Sequence, residues 1–172
     1  MLHHHVLVVG DYYSGKTSLC LRLAHGLPPS SSYVTTLAIA SYFAEIGPKH
    51  SVTLYDTPGH TRFHGSAESR YARCDVVVMM GYGPQTENAW FQRISAWAPF
   101  ASWVVVSRSA SDVWPVFARE RHLSYCELDI HGDKGVCEFI RLLKHQCSFH
   151  ATRPVPLQLG DTTDEQYLSS CT

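Results

Sequence analysis

The octapeptide Gly10-Asp11-Tyr12-Tyr13-Ser14-Gly15-Lys16-Thr17 has the spacing GxxxxGK[ST], and it stands between a short apolar run, Val6-Leu7-Val8-Val9, and a segment with helical spacing. Backbone N–H groups of such a loop cradle phosphates, and the positive end of the following helix adds to their pull. Lys16 is then placed to neutralise phosphate oxygens, and the Thr17 hydroxyl to bind Mg²⁺. The motif works only between a strand and a helix, so it commits the start of the chain to strand, tight loop and helix.

The rest of the chain extends that pattern. Four apolar residues ending at Gly10 read as a strand buried on both faces of a parallel sheet. Thr17 to His25 carries Leu19, Cys20, Leu23 and Ala24 at helical spacing, and Gly26 with Pro28-Pro29 stops the helix. A Pro- and Ser-rich loop follows, Pro28 to Ser32. Residues 37–46 and 51–55 are β-prone runs around Gly47-Pro48-Lys49-His50, which predicts an antiparallel hairpin. Val76 to Met80 and Trp103 to Val106 read as buried strands, and Glu87 to Ala98 and Val136 to His145 as helices. This alternation predicts an α/β fold: a mostly parallel sheet with helices on both faces and a ligand site at the carboxyl ends of the strands, after Val9, Tyr55 and Val106.

Length and composition narrow the function. At roughly 150 residues per domain, 172 residues hold one globular domain, over 1–150, and a polar, acidic tail over 151–172. Apolar residues make up 45% and charged residues 17%, too apolar for a disordered chain. Fourteen Lys and Arg against fifteen Asp and Glu leave no basic field, which argues against nucleic acid as a partner. No signal peptide or long apolar run is visible, so a cytoplasmic protein is expected. The six cysteines lack any CxxC pair and read as reduced thiols, several of them buried.

A second element follows the predicted strand Val52 to Tyr55: Asp56-Thr57-Pro58-Gly59-His60-Thr61-Arg62-Phe63. This segment resembles the DTAGQERF segment of Rab-type small GTPases of the Ras superfamily. Tyr33-Val34-Thr35-Thr36-Leu37 resembles their first switch, although an ordinary Thr-rich loop would read the same way. The resemblance implies a three-layer P-loop G-domain with a six-stranded, mostly parallel sheet and one antiparallel edge hairpin. It implies GTP/GDP and Mg²⁺ as ligands, with Tyr12, Tyr13, Ser14, Gly15, Lys16, Thr17, Ser18 and Gly59 around the nucleotide. It assigns Thr17, Thr36 and Asp56 to the metal, with Thr35 as the alternative to Thr36, and puts His60 where a glutamine orients the attacking water.

The guanine-reading NKxD motif is eroded to Ser109-Ala110-Ser111-Asp112. Ser109 stands for the asparagine, Ala110 for the lysine, and Asp112 either contacts the base or caps a helix over Val113 to Arg119. The loop after the last strand, Asp129-Ile130-His131, is degenerate as well. The eroded motif, the late helix Glu138 to Lys144 and the tail resemble the Rab-like subunits of intraflagellar transport complexes. That resemblance implies a protein of the cilium or flagellum that docks on coiled-coil subunits. The ending Ser169-Ser170-Cys171-Thr172 fits no prenylation motif, so no direct lipid anchor is expected and recruitment falls to protein contacts. Trp90, Phe91, Trp97, Trp103 and Trp114 are the aromatic candidates for such contacts.

Tyr12 and Tyr13 stand where Ras-like loops carry small residues, and a bulky side chain there crowds the γ-phosphate. The expectation is a GTP-binding subunit with slow or no hydrolysis, against the alternative of a cycling GTPase in which His60 positions water. A P-loop small-molecule kinase is a third reading, disfavoured by the DTPG segment and by the lack of an arginine-rich lid.

Overall fold

A computed structural model describes residues 2–26, 34–60, 71–81, 87–108 and 113–151. Its elements run in chain order as β1 (Leu2–Gly10), α1 (Lys16–His25), β2 (Ala40–Gly47), β3 (His50–Asp56), β4 (Val76–Gly81), α2 (Glu87–Trp97), β5 (Ser102–Ser107), α3 (Val113–Glu120), β6 (Ser124–Glu127) and α4 (Val136–Ala151). The six strands form one sheet in the order β2-β3-β1-β4-β5-β6. Every pairing is parallel except β2 with β3, which forms the antiparallel edge hairpin.

Alternate residues of the central strands face opposite ways, as the strand period requires. Val6 and Val8 join Leu19, Cys20, Phe139 and Leu143 in a core under α1 and α4. Leu7 and Val9 join Trp90, Ile94, Trp114 and Phe117 in a second core under α2 and α3. The outcome is three layers, with β1 in the middle of the sheet between β3 and β4. Chain crossovers leave β1 in opposite directions, which opens the crevice at its carboxyl end where such folds bind ligands.

Three differences from the sequence reading have local causes. β1 starts at Leu2 rather than Val6, because His3, His4 and His5 pair in register with Ser51, Val52 and Thr53. α4 continues six residues past His145, and Cys147 on that extension is fully buried. Of the aromatic candidates for partner contacts, Trp114 is buried, as are Trp90 and Trp103, while Phe91 and Trp97 are half-buried against the second core. None of the five offers a free anchor. The exposed large apolar residues are others, among them Val34, Leu37 and Phe43. Among the described residues no helix is long and apolar enough to cross a membrane, and Cys20, Cys74, Cys126 and Cys147 are buried and in no disulfide.

Candidate functional site

β1 delivers Gly10 to the carboxyl edge between the ends of β3 and β4. Its φ of 142° lies where L side chains are strained, and a Cβ there would strike the Met80 carbonyl, so only glycine fits. The loop then closes on one carbonyl. The Asp11 oxygen accepts the Ser14 hydroxyl at 2.8 Å and the Lys16 ammonium at 2.6 Å, and Lys16 also reaches Ser14 Oγ at 3.3 Å. Gly15, in the left-handed conformation, caps α1 without any side-chain bond, which leaves the helix's first amides unclaimed by a capping side chain. Lys16 is buried, and burial pulls its pKa down to about 8 despite the nearby Asp56 and Asp11. An anion at the loop would supply the missing counter-charge.

On the other side of Lys16 three oxygens converge. Thr17 Oγ1 donates to Asp56 Oδ2 at 2.6 Å, Thr36 Oγ1 lies 3.1 Å from Thr17 Oγ1, and Thr36 also donates to Asp56 Oδ2 at 3.4 Å. Asp56 is fully buried, and burial pushes its pKa up against the Thr17 hydrogen bond, Lys16 and Thr36. Its second oxygen, Oδ1, is buried with no hydrogen-bond partner. Two hydroxyls and a carboxylate with an orphaned oxygen match the donor set of a hard divalent cation. Thr57 ties the end of β3 to β1 by donating its hydroxyl to the Val8 carbonyl at 2.8 Å.

The remaining expected residues fall around this centre. A Cβ on Gly59 would stand 2.8 Å from the Tyr12 nitrogen, so the DTPG turn packs directly on the loop. His60 meets Tyr12 edge-on, ring centroids 5.8 Å apart. Tyr12 and Tyr13 are exposed, and Tyr13 holds φ 57°, uncommon for a residue with a side chain. Ser18 is half-buried in the first turn of α1. Ser109 and Asp112 lie outside the described residues, as do Tyr33, Thr61, Arg62, Phe63, the loop over 27–33 and the tail beyond 151.

Three contributors escaped the sequence reading. Arg108 Nη1 donates to the Tyr13 carbonyl at 2.9 Å, and its Cδ lies 3.2 Å from where a Cβ on Gly15 would stand. Among the described residues Arg108 places a basic group on this flank, two residues before the Ala110 position given to the motif lysine. Its place as the first residue beyond β5 was the available signal. Trp90 Nε1 donates to Asp11 Oδ1 at 2.9 Å, and nothing local to Trp90 announces that contact. Arg22 reaches from α1 to the Ile130 carbonyl at 2.7 Å and to the Asp133 carboxylate, bracing the loop after β6. In that loop Asp129 accepts the His131 N–H at 3.0 Å, and bonds from Gly132 and His131 hold its carboxyl below the usual range.

Residues 5–111 match the family described as Ras of Complex, Roc, domain of DAPkinase, over more than half of the chain. The chain belongs to the Roc family. Roc domains are Ras-superfamily GTPase domains, which makes this a small-GTPase fold and implies guanine nucleotide, usually with Mg²⁺. The Roc match takes in the loop over Gly10 to Thr17, the Asp56 turn and Arg108. A comparison with curated proteins returns no match.

Proposed function

We propose that this Roc-family chain is a Rab-like GTP-binding subunit of a ciliary or flagellar intraflagellar transport complex, whose nucleotide-ordered switches dock on coiled-coil partners, with slow or no hydrolysis. The observation that carries the reading is the convergence of Thr36 with Thr17 on the buried Asp56 carboxylate. Thr36 belongs to residues 34–39, which form no helix or strand ahead of β2, and its neighbours Val34 and Leu37 are 76% and 65% exposed. Holding Thr36 at the Asp56 carboxylate therefore fixes the position of two displayed apolar side chains, the raw material of a docking surface.

In this reading Thr17, Thr36 and Asp56 would hold Mg²⁺, which screens phosphate charge when bound. Lys16, the loop amides and Gly59 bind phosphate oxygens, and Ser18 follows on the first turn of α1. The base side falls to Arg108 and to Ser109 and Asp112. Hydrogen exchange tests the switch. With a non-hydrolysable GTP analogue and Mg²⁺, amides of residues 34–39 are expected to exchange more slowly than with GDP, and chelation of Mg²⁺ should erase the difference. Equal exchange in both states would contradict nucleotide-ordered docking.

The Tyr12–His60 contact bears on a second reading, an actively cycling GTPase. The edge-on contact occupies the imidazole with an aromatic neighbour, which disfavours water positioning. Tyr12→Gly should then release His60 and raise the single-turnover rate roughly ten-fold or more, a fraction of the about 10² to 10⁴ that a placed base supplies. An unchanged rate would remove Tyr12 as the brake.

A further inference from the structure

Asp11 joins two parts of the molecule that no sequence motif links. Its backbone carbonyl is the common acceptor for Lys16 Nζ and Ser14 Oγ, so the position of that carbonyl sets where the ammonium points. Its side chain turns the other way, into the α2 side of the sheet, where Oδ1 accepts the Trp90 indole N–H at 2.9 Å. Trp90 is 4% exposed and packs in the core with Met79, Ile94 and Trp114. A buried indole N–H requires an acceptor, and a carboxylate is a stronger one than a neutral oxygen. Gly59 closes the other side, since a Cβ there would lie 3.0 Å from the Asp11 carbonyl carbon. Asp11 is thus gripped by its side chain while its carbonyl orients the lysine.

We propose that Trp90 is a positioning residue for the phosphate loop, acting through Asp11 to hold the carbonyl that aligns Lys16. The inference rests on the phosphate-binding reading of the loop and adds to it a residue on α2, about eighty positions away in sequence. Two consequences follow. Phosphate binding at the loop changes the environment of the Trp90 indole, so intrinsic fluorescence reports it. Weakening the indole contact lowers nucleotide affinity without touching any group that meets the ligand.

The experiment titrates the full chain, stripped of nucleotide, with GDP in Mg²⁺, and follows affinity and tryptophan emission. Wild type, Trp90→Phe, Asp11→Ala, Asp11→Asn and the Trp90→Phe/Asp11→Ala double variant are compared, with melting temperatures measured alongside. Trp90→Phe is expected to weaken GDP roughly ten-fold or more, as for a hydrogen bond to a charged group, and to lose the nucleotide-induced emission change. The double variant should be no weaker than Asp11→Ala alone, and Asp11→Asn, which keeps an acceptor oxygen, should recover most of the loss. Wild-type affinity in Trp90→Phe, or additive losses in the double variant, would overturn the inference and leave the phosphate-binding reading standing. A lowered melting temperature with unchanged affinity would reduce Trp90 to a packing residue and overturn it equally. Failure of the wild type to bind GDP would overturn both.

Discussion

Lys16 is a cation buried beside two carboxylates and still held down at about 8. Its charged form is therefore penalised in the nucleotide-free fold below that pH, and the penalty fades as pH rises toward the ordinary lysine range. Nucleotide-free protein is expected to gain stability between about pH 8 and 10, and Lys16→Met to abolish the gain. At pH 7 the same substitution should stabilise the nucleotide-free chain, by up to about 3 kcal/mol less whatever the lost bonds to Asp11 and Ser14 contribute. Denaturant titration across pH reads both effects, and a Lys16→Met protein with unchanged pH dependence would contradict them. The sequence made the placement of Lys16 and Thr17 legible because it is fixed by spacing along one short segment. Asp11, Trp90 and Arg108 were not legible, because each acts through a contact made across the fold: Trp90 to Asp11, and Arg108 to Tyr13.

Among the elements, β1 and β4 carry the clearest consequences. The triplet His3-His4-His5 reads as polar, yet it extends β1 because β3 supplies its partners. His3 lies within hydrogen-bond distance of Ser51 Oγ and Thr53 Oγ1, and His5 of Tyr55 OH. His4 faces the other core, where burial pulls its pKa down, opposed by Asp75 at 3.6 Å. The unfolded chain then binds the proton more tightly, so this group costs stability as pH falls through the ordinary histidine range. His4→Val should flatten the loss between pH 7.5 and 5.5 in denaturant midpoints, and an identical slope would count against the assignment. On β4, a Cβ at Gly81 would enter the Trp114 ring on α3. Gly81→Ala is therefore expected to cost about 1–3 kcal/mol by overpacking, and pairing it with Trp114→Leu should restore part of that. Additive losses by thermal melting would contradict the contact.

At the scale of the whole molecule, the order of elements was legible because strands and helices alternate with different periods, and buried parallel strands such as Val76 to Met80 are continuous apolar runs. That Gly10 to Thr17 and Asp56 to Gly59 come together was legible too, because they sit at the ends of adjacent strands. The base positions given to Ser109 and Asp112 lie outside the described residues, and Arg108, the first residue beyond β5, reaches the Tyr13 carbonyl from a position that no motif assigns. This Roc domain is expected to bind guanine nucleotide at the loop through Lys16. Isothermal titration of nucleotide-free protein with GTP, GDP and ATP in Mg²⁺, with Lys16→Ala as control, tests it most directly. The predicted result is binding of GTP and GDP in preference to ATP, lost in Lys16→Ala; no heat from any nucleotide, or binding indifferent to Lys16, would contradict it.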